Sequence, residues 1–467
     1  VIVVLSVLEF FFNPSSVAVV GATPKEGKVG RVILENFKNK FKGEIYPVNP
    51  HYQEILGLKA YASVQEIPGR VDLVVIATPA RTVPGVLEDA GVKGVKGAII
   101  ISGGFRETGT QEGAMLEDEV KRIAAKHGIR VIGPNCIGVL DNWSGVDTFF
   151  LPEDKMRRPP RGYVSVISQS GAFASALLDW MAHHGYGVSK AISFGNKIDV
   201  DEVELLNYLA EDPTTNVIFL YLEGVREGRG RDFIDTARKV SRIKPVVVYK
   251  AGKTKRGGIA AASHTAALAG DYNLYVTVFK QSRLLEAVSF DEITDLVKVL
   301  STQPLMKGRR VYIVTDAGGV GVMLTDAIEL NGLEVPQTPP DLKERLRSVL
   351  PPHCIVENPI DLTGDTDDQR FITVLNELLP RNDVDAVVVV ALPQIPGLRG
   401  ELFEYLVKAK VYGKPLLVVL IGGELALKYK KFLEENGIPV FESPERLARA
   451  LSALYTYSRI RMQGGVS

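Results

Sequence analysis

Along nearly its whole length this chain repeats one unit. A short run of β-branched and other apolar residues stops at Gly, Pro, Asn or Thr, and a stretch of helical periodicity follows. "SVAVVGA" (16–22), "YPVNP" (46–50), "VDLVVIATP" (71–79), "GAIIISGG" (97–104) and "RVIGPN" (130–135) form a first series. Such runs are written for strands covered on both faces, as in a parallel sheet flanked by helices. The basic "KMRRPPRG" (155–162) breaks the pattern and reads as a linker. "YVSVISQSG" (163–171), "KAISFGN" (190–196), "NVIFLYLEG" (216–224) and "KPVVVYKAG" (244–252) make a second series. After the polar "STQPLMKGRR" (301–310) come "VYIVTDAGGVGV" (311–322), "VDAVVVVALP" (384–393), "KPLLVVLIGG" (414–423) and "PVFES" (439–443). The expectation is an α/β protein of three serial domains, 1–155, 156–302 and 303–467. Ligands of open parallel sheets bind beyond the carboxyl ends of the strands, so the polar strand ends mark the crevices to search.

Composition removes several classes of function. With 467 residues the chain exceeds one ordinary core, and 55 Lys plus Arg balance 55 Asp plus Glu. That balance lacks the basic field that nucleic-acid binding needs. Cys136 and Cys354 stand far apart with no CxxC neighbour, which argues against a disulfide framework and fits a reducing cytoplasm. The apolar start "VIVVLSVLEFFFNP" is interrupted by Glu9 and falls short of the roughly 20 residues of a spanning helix. It reads as a lead-in helix or strand packed on the first domain, with a signal peptide as the alternative, and no membrane partner is expected.

"VVGATPKEGKVGR" (19–31) follows a strand and opens a helix, with glycines at 21, 27 and 30. Glycine lets backbone approach an anion closely, and free N–H groups at a helix start favour phosphate. The spacing is not G-x-G-x-x-G, and the second strand ends in Asn49 and Pro50 where a dinucleotide site would place an acid on the ribose. A nucleotide-containing ligand with a pyrophosphate, CoA among them, suits these residues better than NAD. A glycine turn that only joins strand to helix is the structural alternative, although Thr23, Lys25 and Lys28 add donors and charge. Lys28 or Arg31 is placed either to pair with a phosphate or to stay a solvated surface charge.

In the second series "ISQSGAF" (167–173) puts Ser168, Gln169, Ser170 and Gly171 at a helix start, a cradle for a phosphoryl group or an ordinary N-cap pair. Among the histidines, His127, His183 and His184 precede glycines at helix ends, His51 follows Pro50, and His353 lies in "LPPHC". No H-x-x-x-H spacing and no G-x-S-x-G elbow occurs, so neither a histidine metal site nor a hydrolase triad is expected. His264 differs. "AAASHTAALAG" (260–270) surrounds it with small side chains, leaving room for a bulky group beside the imidazole. A histidine nucleophile needs a partner on its other nitrogen, and Glu223, closing the apolar strand "NVIFLYLEG", is a candidate; the alternative is an ion pair with Arg226 or Lys250.

"IGPNCIG" (132–138), "ISQSGAF", "SFGNKIDVDE" (193–202), "YLEGVREGR" (221–229), "KPVVVYKAGKT" (244–254), "ASHTAALAG" (262–270) and "VTDAGGVGV" (314–322) occur in that order. Together they resemble the α subunit, or α-like half, of the nucleoside-diphosphate-forming acyl-CoA synthetases, in particular the ADP-forming acetyl-CoA synthetases. The first two domains also resemble the α subunit of succinyl-CoA synthetase. The resemblance covers residues 13–460 and implies a Rossmann-like CoA-binding domain followed by two flavodoxin-like parallel-sheet domains.

It further implies that Gly21, Ala22, Thr23, Lys28, Asn49 and Pro50 lie near the phosphates and nucleotide of CoA, with Ala77, Thr78, Pro79 and Asn135 further round the crevice. His264 matches the phosphorylated histidine, Glu223 the acid that steadies it, and Ser168, Gln169, Ser170 and Gly171 the helix start that receives the phosphoryl group. The glycines and small side chains of "KTKRGGIAAASHTAALAGD" suit a mobile segment that carries His264 between two sites. No ATP-grasp module is written in these residues, so a separate β chain holding ADP or ATP with magnesium is expected, in an α2β2 assembly. The reaction implied is acyl-CoA plus phosphate plus ADP giving acid, CoA and ATP. Alternatives are a ligase of the same superfamily acting on succinate or another acid, and a CoA-binding regulator without catalysis. The residues do not specify the acyl group, the choice of ADP or GDP, or the direction of flux.

Overall fold

The computed structural model describes residues 8–265 and 271–463, with the side chains of 262–265 left aside. The chain divides into two compact units, Val1–His183 with Gly187–Glu286, and His184–Tyr186 with Ala287–Ser467.

The first unit holds two sheets. In one, five parallel strands run in the spatial order Glu44–Val48, Ser16–Val20, Leu73–Ile76, Gly97–Ile100, Arg130–Ile132. In the other the order is Leu285–Glu286, Val246–Lys250, Val217–Leu222, Arg161–Ser168, Val188–Ser193, Gly138–Asp141. Its strands are parallel except the last, which pairs antiparallel with Val188–Ser193. The second unit has one five-stranded parallel sheet, Ile360–Asp361, Val311–Thr315, Ala386–Ala391, Leu416–Leu420, Val440–Phe441.

Apart from Ser16, the central strands consist of Val, Ile, Leu and Ala buried on both faces, as the apolar runs predict. Alternate residues feed separate cores: Val17 and Val19 join one cluster, Ala18 and Val20 another. Helices cover these faces with apolar stripes. Helix Gly230–Ser241 buries Phe233, Thr236, Ala237, Val240 and Ser241, the spacing of one helical face. Polar caps set the starts: the Asp201 carboxylate accepts from Val203 N–H and Glu204 N–H at 3.0 and 3.2 Å, opening Glu202–Glu211.

Within each sheet the first parallel strand in sequence lies between the second and the third. That order reverses direction beside the first strand, and the reversal opens a crevice at the carboxyl ends. Three such points follow: Gly21 beside Ala77, Gln169 beside Glu223, and Asp316 beside Leu392.

The linker segment "KMRRPPRG" is anchored, because Arg158 is inside, with Asp147 2.8 Å away and both side chains 2% exposed. Its guanidinium also donates to the carbonyls of Met156, Phe149 and Leu151. The proline and charge pattern signalled a break, but a planar donor fork matched to one carboxylate and three carbonyls ties the segment down. The strand Gly138–Asp141 has no counterpart among the apolar runs of the sequence; it precedes that segment yet forms the edge of the second sheet. Within the apolar start, Glu9–Phe12 is a helix that buries Phe11 and Phe12, and Phe12 stacks on Tyr208 of helix Glu202–Glu211 at 4.5 Å. Among the described residues no helix is long and apolar enough to cross a membrane.

Candidate active site

The first crevice opens where the chain leaves Ser16–Val20 and Leu73–Ile76. Gly21 turns there with φ +90°, and a Cβ on it would lie 2.6 Å from the Ala77 carbonyl oxygen. Gly30, in the first turn of helix Val29–Lys40, is tighter still, since its Cβ would fall 2.0 Å from the Gly21 carbonyl oxygen. Only glycine at both places lets the helix start press onto the strand-end loop. Lys28, the residue before the helix, is extended, and no side chain caps the helix start. Its first N–H groups and the positive end of the helix dipole form a preorganised place for an anion.

Neighbouring strand ends complete the rim. Asn49 Nδ2 donates to the Ala22 carbonyl at 2.8 Å, which draws Asn49 and Pro50 onto the glycine loop containing Thr23. The Ser102 hydroxyl donates to the Thr78 carbonyl, and Asn135 N–H donates to the Ser102 carbonyl at 2.9 Å. Ala77, Thr78, Pro79 and Asn135 therefore lie round the same sheet end as Gly21. Lys28 is exposed and forms no ion pair with a described residue, whereas the Arg31 guanidinium is taken by Glu35 at 2.5 Å and by the Pro24 carbonyl. A backbone cradle that a Cβ would fill, an uncapped helix start and a free ammonium fit the phosphates of CoA.

The second crevice lies on the second sheet. Ser168 ends its strand, fully buried, and its hydroxyl donates to the Ser170 carbonyl at 2.7 Å. Ser170 Oγ accepts from Phe173 N–H at 3.2 Å, capping helix Gly171–His183. Gln169 Oε1 accepts from Glu223 N–H at 2.6 Å and from Gly224 N–H at 3.0 Å. One amide thus ties the helix start to the turn carrying Glu223, itself 3% exposed. Lys250, an alternative partner for Glu223, is directed to that residue's backbone, donating to its carbonyl oxygen at 2.7 Å.

The two crevices share a stretch of chain. Asn135 reaches Asn196 Oδ1 at 3.4 Å, and two residues later the Ile137 side chain would touch a Cβ placed on Gly171 at 3.0 Å. Helix Lys255–Thr265, with His264 in its last turn, runs beside the turn Arg106–Thr108 at the end of the first sheet. The His264 side chain lies outside the described residues. In that turn Glu107 accepts from Gly104 N–H, Phe105 N–H and Asn196 Nδ2. Burial alone would raise its pKa, but these bonds hold the carboxyl below its usual range.

Sequence reasoning passed over the third reversal point. Asp316, 5% exposed, accepts from Leu392 N–H with both oxygens at 3.1 and 3.0 Å, just before helix Gly318–Leu330. Burial pushes its pKa up to about 6, with the charge of Asp361 acting in the same direction against the N–H bonds. An acid ending an otherwise apolar strand, as in "VYIVTDAGG", was the available signal.

Three family models match in series: a CoA binding domain over residues 15–142, a succinyl-CoA ligase like flavodoxin domain over 161–300, and a ligase-CoA domain over 311–463. The acetate–CoA ligase [ADP-forming] II subunit alpha of Pyrococcus furiosus is 40% identical over 98% of this chain and 100% of its own length. The chain belongs to the α subunits of the ADP-forming acetate–CoA ligases. It is thus the α chain of an acid–thiol ligase. The acetate–CoA ligase [ADP-forming] I of Archaeoglobus fulgidus is also 40% identical, over 97% of this chain but 64% of that longer protein. The dinucleotide-forming acetyl-coenzyme A synthetase 1 of Ca. Korarchaeum cryptofilum, solved in complex with phosphate and ADP, superposes with a TM-score of 0.92. It is 40% identical, with 98% of this α chain and 99% of that chain covered.

Proposed function

We propose that this α chain, with a separate ATP-grasp β chain, interconverts acetyl-CoA, phosphate and ADP with acetate, CoA and ATP in the cytoplasm. The full-length match to a Pyrococcus α subunit carries this reading. The domains assigned to it are 1–155 for CoA, 156–302 for the phosphohistidine and 303–467 as a second ligase domain, in an α2β2 assembly with magnesium on the β chain.

The Gly21 loop, Lys28 and the start of helix Val29–Lys40 hold the phosphates of CoA, while Asn49, Pro50, Ala77, Thr78, Pro79 and Asn135 shape the rest of its crevice. A phosphate oxygen attacks the thioester carbonyl; the C–S bond breaks, CoA leaves as thiolate and acetyl phosphate remains. One neutral nitrogen of His264 attacks phosphorus and the P–O bond to acetate breaks. Glu223 accepts the N–H of the other ring nitrogen, holding the tautomer and stabilising the cation that forms. The Gly171 N–H at the helix start, with the Ser170 N–H held by Ser168 Oγ at 3.2 Å and the turn tied by Gln169, offsets charge on the phosphoryl oxygens. A terminal oxygen of ADP on the β chain then takes the phosphoryl group and the P–N bond breaks.

The test supplies labelled ATP, magnesium and the β chain, and looks for acid-labile, base-stable label on this chain. Label is expected on the wild type and not on His264→Ala. An unlabelled wild type, or full label on His264→Ala, sinks the assignment.

A further inference from the structure

Beyond Leu222 the ladder of the second sheet ends, its last rung the bond from Ala251 N–H to the Leu222 carbonyl. Loop backbone past a strand end usually turns to water or to its own turn. The next residues do neither. Glu223 N–H and Gly224 N–H both donate to Gln169 Oε1. The Glu223 carbonyl accepts from Lys250 Nζ at 2.7 Å, and the Gly224 carbonyl accepts from Lys197 Nζ. All four backbone polar groups of this dipeptide are therefore held by side chains, brought from the ends of two strands and from the loop that follows Val188–Ser193. The grip continues, with Val225 N–H donating to the Tyr275 hydroxyl at 3.1 Å and Arg226 N–H to Glu202 Oε1 at 3.0 Å.

The two ammonium groups are expensive ways to hold a turn. Lys250 is 0% exposed and Lys197 8%. Lys197 is compensated by Glu202, whose oxygens lie 3.0 and 3.3 Å away. Lys250 has the carbonyls of Glu223 and Ala251, the latter at 2.5 Å, and the face of the Tyr275 ring at 4.6 Å. Burying a cation on carbonyl oxygens and a ring face costs more than folding a turn requires, since a neutral hydroxyl donor would cap the same carbonyl. Fixing one carboxylate to within a fraction of an ångström is what such a grip accomplishes.

We propose that Gln169, Lys197 and Lys250 are positioning residues that clamp the Glu223–Gly224 backbone, and so fix the Glu223 carboxylate for phosphoryl transfer at His264. The proposal rests on the assignment of Glu223 as the acid behind His264. The clamp makes Gln169 a link between the helix start and the acid, so the two sides of the second crevice move as one.

The complex of this chain with its β chain is assayed for label transfer from ATP to His264, for CoA affinity and for thermal unfolding, in Lys250→Met, Gln169→Leu and Gln169→Glu. Loss of alignment should slow transfer about 100-fold in Lys250→Met and Gln169→Leu. CoA affinity should stay within about twofold, because the CoA crevice is built from other residues. Gln169→Glu retains an oxygen for both N–H groups and should recover most of the rate lost in Gln169→Leu. The charged and titratable groups facing Lys250 are Glu223, Lys197 and Tyr275, and burial, the largest influence, brings its pKa down to about 8. The wild-type transfer rate should therefore fall above about pH 8, and this limb should be missing in Lys250→Met. Should Lys250→Met not fold, the two Gln169 variants decide. Wild-type rates in both leucine and methionine variants, or equal losses of rate and CoA affinity without rescue by Gln169→Glu, overturn the clamp. An unlabelled wild type, or label that survives His264→Ala, instead overturns the assignment beneath it.

Discussion

Asp316 shows at the residue scale how a strand end can hold a buried carboxyl at the expense of stability. Its carboxyl has a pKa of about 6 in the folded chain against 3.8 as the ordinary value. The native state binds this proton more tightly than the unfolded state, so its contribution to stability is present below about pH 4 and is lost as pH rises through 6. A difference of this size corresponds to about 3 kcal/mol as an upper bound. Asp316→Asn keeps an oxygen for Leu392 N–H without the charge. Denaturation of this variant should show a gain of about 1–3 kcal/mol at pH 7 that disappears near pH 4. An unchanged or lower stability at pH 7 contradicts the burial account. A buried acid kept at such a cost beside a helix start is a candidate for function.

Elements meet here through single residues. Helix Val29–Lys40 can approach the first strand end because Gly30 and Gly21 have no side chains, and the Gly30 Cβ position lies 2.0 Å from backbone oxygen. Gly30→Ala must push the helix off its loop, at a cost of about 1–3 kcal/mol. CoA affinity should fall with it, whereas Gly27→Ala, with nothing within 4 Å but a φ of +70°, should strain only the local turn. Calorimetric titration of both variants with CoA separates them; equal affinities would refute the cradle. Segment 155–162 depends likewise on the Arg158–Asp147 pair. Arg158→Ala leaves a buried carboxylate without its cation and should destabilise by about 3–5 kcal/mol, while Arg158→Met with Asp147→Leu should lose far less. Urea titrations that give the double variant the larger loss would reject this picture.

At the scale of the whole molecule one sheet order is used three times, and each use opens a crevice at a reversal point. CoA bound in the first crevice stabilises the fold that holds it by mass action, about 2.7 kcal/mol at a hundredfold excess over its dissociation constant. A thermal shift is therefore expected with CoA and none with NAD at the same concentration. A shift with NAD alone would restore a dinucleotide-type reading of the glycine loop. Mixed with acetyl-CoA, ADP and phosphate, the chain by itself should form no ATP until the β chain is added; turnover by the isolated chain would refute the division of labour.

The alternation of apolar runs and helical stretches was enough to locate the long strands, because the period of a strand and the residues that stop it are local properties. Strand-end glycines, Asn49, Gln169 and Glu223 stand out for the same reason, as residues that stop apolar runs. Partnership was decided only by tertiary structure. Nothing near Arg158 in sequence announces its burial against Asp147, and nothing in "GVLD" shows that it pairs antiparallel with Val188–Ser193. Asp316 meets Leu392 across 76 residues, and Lys197 and Lys250 reach adjacent carbonyls, one from a loop and one from a strand end. Strand order is chosen by the packing of whole helices on a sheet, so the atoms that meet at its reversal points are products of that long-range choice.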